Sequence, residues 1–311
     1  MMYAIYTELL SSSMPSIATI ISYCSNDFRF IDKCIEEAKI FSKQILIPVC
    51  DHFFDGGPEN RRLLHHTYAR HPECTFLEFP YLPDRLYSQY HNIGPQDTDW
   101  SMFWGTTSRY IGFLFLDPSI ESVLFLDSDE ICEGKAFLDW YTSKEHEPYE
   151  ALRLAAYYYA LRATLRAQKV VNLPLLVKKE TFKPLTLFNE IDRAGAYMTH
   201  AGPKKERIVG LNGLPFVHHY SWVRTQEECL HKTRTWAHRH DEDWPTLIEK
   251  AFNGHTEEAM FGTSHTFSEI EESYFDPLQV RFPSTEARPP GSHVLRIAER
   301  DVRRKEIEYV L

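Results

Sequence analysis

The stretch SVLFLDSDEI, Ser122 to Ile131, decides the fold. Val123, Leu124, Phe125 and Leu126 form an unbroken apolar run, the pattern of a strand buried on both faces. The run stops abruptly at Asp127-Ser128-Asp129-Glu130. Strand alternation predicts Asp127 and Asp129 on one side and Ser128 on the other. Three carboxylates crowded at the end of a buried strand repel one another, and a hard divalent cation with oxygen ligands is the usual relief. In open α/β sheets, ligands bind at the carboxyl ends of the strands, where this cluster lies. The plainer alternative is a polar turn leaving the strand, with no ion.

Working outward, IATIISY (17–23) reads as a first buried strand and Ser25-Asn26-Asp27 as a helix N-cap. Ile31, Cys34, Ile35, Ala38 and Phe41 then fall on one helical face over a helix running to about Ser42. QILIPVC (44–50) is a second strand, so the order strand, helix, strand predicts a right-handed parallel crossover. A loop, DHFFDGGPEN (51–60), leads to a second helix over 59–70 and a third strand over 74–79. A Pro- and Tyr-rich loop over 80–100 precedes a helix over 101–116. Four strands alternating with helices predict a doubly wound α/β half. Beyond Glu130 the pattern changes. Segment 151–167 reads as strand or helix, 173–178 as strand, and 188–213 as loop. Thr225 and Glu228 form a capping box that starts a helix expected to reach about His240. After Gly254 the chain is polar and turn-rich, ending in a charged amphipathic helix over 294–311. The expected organisation is a single catalytic domain over 1–311. It comprises a nucleotide-binding half (15–131), an acceptor and metal-completing half (132–254) and a C-terminal extension (255–311).

At 311 residues there is ample chain for a full core. A net charge of −10 argues against nucleic acid as a partner. The six cysteines are scattered and never paired as CxxC, which argues against a zinc ribbon or a dithiol redox motif and suits buried thiols in a reducing compartment. The N-terminus lacks the basic region of a signal peptide, and no apolar run is long enough to span a bilayer. The expectation is a cytoplasmic protein, with peripheral membrane association left open.

Two further constellations carry chemistry. Asp51 follows the second strand and faces the same carboxyl-end crevice, where it can accept a hydrogen bond from a base or ribose, while Asp55-Gly56-Gly57 lets the backbone approach a ligand. Both are also ordinary turn residues. The segment His218-His219-Tyr220-Ser221-Trp222-Val223-Arg224 offers an imidazole able to complete a shell of carboxylate and phosphate oxygens around Mn²⁺. Arg224 is expected to grip a diphosphate in bidentate fashion, with Lys232, His238 and Arg239 adding positive charge from the following helix. The alternative is a structural His pair beside an interfacial Trp.

Taken together, IISYCSNDFRFIDKCIEEAK, ILIPVCDHFFDGGPE and LFLDSDEI resemble the nucleotide-binding half of a GT-A glycosyltransferase close to the family-2 type. Asn26-Asp27 matches the start of its first helix, Asp51 and Asp55-Gly56 its Asp-rich loop, and Asp127-Ser128-Asp129 its DxD motif. The resemblance covers 17–131 well and 216–244 moderately. It implies an α/β fold of GT-A type: a Rossmann-like, doubly wound, mostly parallel sheet with a mixed acceptor-side extension. It implies that Asp51 contacts the base, Asp127 the ribose or metal, and Asp129 a Mn²⁺ or Mg²⁺ on the donor diphosphate. Arg109 resembles the donor-contacting arginine, and the late histidine that completes the metal shell is similar to His219 in preference to His218. The loop DHFFDGG departs from the usual DDGSxDG pattern, and a Glu-Asp acceptor motif is missing.

The implied activity is metal-dependent transfer from a UDP- or GDP-sugar to a glycan, lipid or protein acceptor, with inversion expected. A metal on Asp129, Asp127 and His219, helped by Arg224, would neutralise the leaving diphosphate. An inverting enzyme needs a carboxylate base. The family places it between the DxD and the late histidine, which singles out Glu190 and Asp192, with Asp192 preferred. The alternative for Asp192 is a surface pair with Arg193. Tyr157, Tyr158 and Tyr159 are either sugar-stacking rings or sheet packing. The rival readings are a haloacid-dehalogenase-like phosphatase with Asp127 as nucleophile, and a non-catalytic module that binds a nucleotide sugar or glycan.

Overall fold

The computed structural model describes residues 15–82, 100–188, 192–254, 260–287 and 291–310. In chain order the strands are β1 (Ile17–Ser22), β2 (Gln44–Cys50), β3 (Thr75–Phe79), β4 (Ser122–Asp127), β5 (Glu130–Cys132), β6 (Ala151–Ala160), β7 (Arg162–Ala167), β8 (Val171–Lys178), β9 (Lys204–Ile208), β10 (Val217–Trp222), β11 (Phe267–Glu269) and β12 (Val294–Arg296). The helices are α1 (Phe28–Ala38), α2 (Arg61–Arg70), α3 (Trp100–Leu114), α4 (Gly134–Thr142), α5 (Asp192–Thr199), α6 (Gln226–Thr235), α7 (Trp244–Phe252) and α8 (Glu299–Val310).

All the strands join one sheet, whose main path runs β11-β7-β6-β8-β4-β1-β2-β3-β12. From β12 to β4 neighbours are parallel, and from β4 to β11 they are antiparallel. The apolar runs of β1 and β4 pair in full register, Ile17 with Ser122 through to Ser22 with Asp127, and both are buried on two faces. Helices α1, α2 and α4 pack on one face through Ile31, Cys34, Leu64, Tyr68 and Phe137. Helices α3, α5 and α8 cover the other through Tyr110, Ile111, Ala196 and Val302. Gly112 is what lets α3 lie flat on the sheet: a Cβ there would stand 2.6 Å from Ile20 Cγ2. The chain runs from β1 outward to β2 and β3, then returns to place β4 on the far side of β1. The crevice where strand order reverses is therefore at the carboxyl ends of β1 and β4.

Several sequence expectations need correction. The segment 188–213 is not all loop, since it contains α5 and β9. Strand β9 (KKERI) is exposed at every residue but Ile208, so it lacks the alternation that marks a half-buried strand. Segment 151–167 is the hairpin β6–β7, turning at Leu161 with a positive φ of 62°. Ser25–Asp27 forms a 3₁₀ turn, and Asp27 makes no side-chain cap to α1. The capping box on Thr225 is present, but α6 stops at Thr235 instead of reaching His240. There the backbone extends at Trp236, whose ring packs edge-on against Trp222 (5.6 Å) and Trp244 (5.3 Å). Lys232 is thus helical, while His238 and Arg239 lie in the turn beyond. The C-terminal extension contributes β12 to the edge of the sheet and α8 to its face. The cysteines are free thiols, five buried and Cys24 half-buried. Among the described residues no helix is long and apolar enough to cross a membrane.

Candidate active site

Strand β4 ends at Asp127, the chain turns through Ser128 and Asp129, and β5 begins at Glu130. The alternation expected to align the two aspartates therefore stops at Asp127, two residues short of Asp129. Ser128 is fully buried and its hydroxyl donates to Asp27 Oδ2 at 2.8 Å, which fixes the turn. Asp127, Asp129 and Glu130 nevertheless all line one cavity of about 380 Å³ at the carboxyl ends of β1, β2 and β4.

Side-chain cations meet these carboxylates. Asp127 Oδ1 accepts from Arg109 on α3, and Asp127 Oδ2 accepts from Arg193 Nη2 at 2.9 Å. Arg193 also donates to both oxygens of Glu130 (2.6 and 3.0 Å) and to the Phe125 carbonyl (3.2 Å). Asp129 Oδ2 accepts from Lys232 Nζ at 2.9 Å and lies 3.4 Å from Arg224 Nη2. Burial would raise the Asp127 carboxyl, but the Arg109 and Arg193 guanidiniums outweigh it and hold the group below its usual range. At Asp129 burial is likewise outweighed, by Lys232, His219 and Arg224, and the group lies well below that range. Burial dominates at Glu130 and pushes it up despite Arg193.

Strand β10 brings the histidines here. His219 pairs with Glu130 of β5 and with Tyr158 of β6. Its Nε2 lies 3.5 Å from Asp129 Oδ1, and its ring packs 5.3 Å from Tyr158. His218 points elsewhere, bonded to Glu133 Oε1 and the Tyr159 hydroxyl at 2.8 Å each. Tyr158 and Tyr159 are buried sheet packing, not cavity rings. Among the described residues no three His, Cys, Asp or Glu side chains form a metal-holding group. Asp127 is the poorer ligand, because a guanidinium already meets each of its oxygens and offsets its charge. Asp129 Oδ1 and His219 Nε2 do fit as a pair, since Lys232 and Arg224 bind the other oxygen. Two protein donors suffice for Mg²⁺ or Mn²⁺ when substrate phosphate and water supply the rest.

The other expected residues divide. Arg109 and Lys232 line the cavity, and Arg224 does not. Arg224 is 1% exposed, lies over the Phe30 ring and donates to Asp27 Oδ1 (2.5 Å), the Asn26 carbonyl (2.6 Å) and the Ser221 carbonyl (2.9 Å). It braces Asp129 from behind, and no arm of the guanidinium is left to grip a diphosphate. Asp51 is off the cavity wall, its Oδ1 accepting from Tyr81 N and bonded to His52 Nδ1, both at 2.7 Å. His52, Phe53 and Phe54 line that end in its place, where Gly56 turns the loop at φ 84°. Asp192 opens α5 on the cavity wall at φ 47°, 3.1 Å from Arg109 Nη1 and 3.6 Å from Arg193 Nε. Glu190 lies outside the described residues. Sequence reasoning missed Arg193 and Glu59. Glu59 is buried on the wall, accepts from Ser25 N at 3.1 Å and from the Ser25 hydroxyl, and is pushed by burial to a pKa of about 7. A lone Glu before a helix carries no sequence signal for this. Arg193 stood beside Asp192 in the sequence but read as its surface partner.

No family model matches the sequence, and no curated protein does either. Among solved structures the chain is similar to the glycosyltransferase GlyE of Streptococcus pneumoniae TIGR4, at a TM-score of 0.35 and 14% identity over 76% of this chain and 63% of that one. It is similar to the apo form of the same protein at a TM-score of 0.34 and 15% identity. The chain spans 63% of the length of these two structures.

Proposed function

We propose that the chain transfers a sugar from a nucleoside diphosphate sugar, UDP- or GDP-linked, to an acceptor hydroxyl. The observation that supports it best is the shared cavity: Asp129, His219 and Lys232 line it together with Asp127, Arg109, Arg193 and Asp192, at the crevice where a doubly wound sheet binds nucleotides. His52, Phe53 and Phe54 at the ends of the parallel strands suit a base and ribose. Departure of the diphosphate leaves negative charge that must be met by groups already in position. Lys232 supplies one such charge, aimed by its hydrogen bonds to Asp129 and Ser221. A Mg²⁺ or Mn²⁺ held by Asp129 and His219 would add Lewis-acid stabilisation of the same oxygens. Asp192, on the cavity wall with Arg109 Nη1 3.1 Å from its carboxylate, is our choice for the base that takes the acceptor proton.

The phosphatase reading is supported less well, because the guanidiniums of Arg109 and Arg193 meet both oxygens of Asp127 and would blunt it as a nucleophile. Incubation with UDP-, GDP- and dTDP-sugars in Mn²⁺ tests the proposal. The expected result is free nucleoside diphosphate from one donor. Inorganic phosphate from a phosphomonoester would reinstate the phosphatase, and binding without release would make the chain a nucleotide-sugar-binding module.

A further inference from the structure

The cavity has a second wall, built from the antiparallel half of the sheet, and one cation on it is unmatched. Arg153 of β6 stands in register with Leu175 of β8 and lines the cavity beside Leu173 and Arg193. The other arginines and the lysine on the wall face carboxylates: Arg109 faces Asp127 and Asp192, Arg193 faces Asp127 and Glu130, and Lys232 faces Asp129. Arg153 has none within 4.0 Å among the described residues. Its Nη2 donates to the Asn172 carbonyl oxygen, and its Nε is buried with no hydrogen-bond partner. Asn172 Oδ1 beside it is also buried and unpartnered. Burial pushes the Arg153 pKa down, and the like charge of Arg193 pushes the same way, with Glu206 and Glu130 opposing only at a distance.

A half-buried guanidinium with an unused N–H, next to a second guanidinium, is unfavourable until an anion arrives. We propose that Arg153 binds a carboxylate or phosphate carried by the transferred sugar or by the acceptor, so that one substrate is an acidic or phosphorylated saccharide. The donor diphosphate is a poorer candidate for this anion. Strand β6 lies two strand spacings, roughly 10 Å, from β4 and further still from β1 and β2. A nucleotide seated over β1, β2 and β4 brings its sugar, not its phosphates, towards Arg153. Only the identity of the ligand rests on the transferase reading.

Calorimetric titration tests this in two arms. The donor arm compares UDP-glucose with UDP-glucuronate and GDP-mannose with GDP-mannuronate. The acceptor arm, in saturating UDP or GDP, compares glucose with glucuronate and with glucose 6-phosphate. In one arm the acidic form is expected to bind about tenfold or more tightly, the worth of one charge-assisted contact. Arg153→Gln removes that preference and Arg153→Lys keeps part of it. The arm that responds says which substrate carries the acid. Binding of acidic and neutral forms within about threefold in both arms overturns the proposal, and this wild-type comparison does not depend on any variant folding. A preference that survives Arg153→Gln in folded protein also overturns it. Acid binding that needs Arg153 without any nucleotide binding keeps the anion site and removes the transferase. Nucleotide-sugar turnover with no acid preference does the reverse.

Discussion

Lys232 and Asp129 form a buried ion pair at 2.9 Å, and the same ammonium donates to Ser221 Oγ at 2.7 Å. The pair joins α6 to the turn after β4, so the helix that carries Lys232 is registered against the motif carboxylate. An ion pair removed from water is worth having only when its remaining donors and acceptors are met. Here His219 takes the other side of Asp129, and Arg224, anchored on Asp27, supports it from behind.

Asp129→Asn is expected to lower donor turnover roughly 100-fold or more by releasing Lys232 and removing the charge that orders it. It should also destabilise the chain by about 3–5 kcal/mol, because Lys232 stays buried without its anion. Steady-state release of nucleoside diphosphate and urea denaturation measure the two effects. Full activity in a folded variant would remove Asp129 from the mechanism.

Arg193→Met leaves Asp127 without one of its two cations and Glu130 without both of its Arg193 contacts. A loss of about 3–5 kcal/mol is expected, read as a lower midpoint in urea at unchanged slope. The loss should shrink in the double variant Arg193→Met/Glu130→Gln, since the uncompensated buried charge is then gone.

Glu59→Gln separates the pH dependence of stability at this site. The folded-state pKa of about 7 lies above the ordinary 4.5, so between those values the folded chain keeps a proton that the unfolded chain has released. Stability from this group is therefore full below about pH 4.5, falls as pH rises to about 7, and levels off beyond. The variant should match the wild type near pH 5 and exceed it at pH 8 by about 3 kcal/mol. Equal differences at both pH values in urea would remove the assignment.

Mn²⁺ binding should require nucleotide, because Asp129 and His219 together supply just two protein donors. Calorimetry is expected to show tight Mn²⁺ uptake with UDP or GDP present, weakened about tenfold or more by His219→Ala, and little uptake by the protein alone. Turnover that is indifferent to EDTA would leave charge compensation to Lys232 and its neighbours.

Much of the parallel half of the sheet was legible because each element carries its own local signature. The apolar runs of β1, β2 and β4 and the helical periodicity of α1 are dictated by burial on known faces. His219 was singled out only through its resemblance to a family's late histidine, and β10 brings its Nε2 to 3.5 Å from Asp129 Oδ1. What escaped reading was set by distant packing. Nothing local says that Arg224 turns inward over the Phe30 ring, that Arg193 is buried between two carboxylates, or that Asp51 spends its oxygen on Tyr81 N and its neighbour His52. Strand β9, with its charged exposed residues, exists because β6 offers it an edge, which no window of sequence contains.

The three-residue strand β12 pairs in parallel with Phe76, Leu77 and Glu78 along the margin of the sheet. It shields the row of amides and carbonyls that β3 would otherwise present to water, and its exposed Arg296 and its shortness make it a poor template for further strands. A chain cut before Val294 is expected to bare both the β3 edge and the apolar face beneath α8, and so to aggregate more readily.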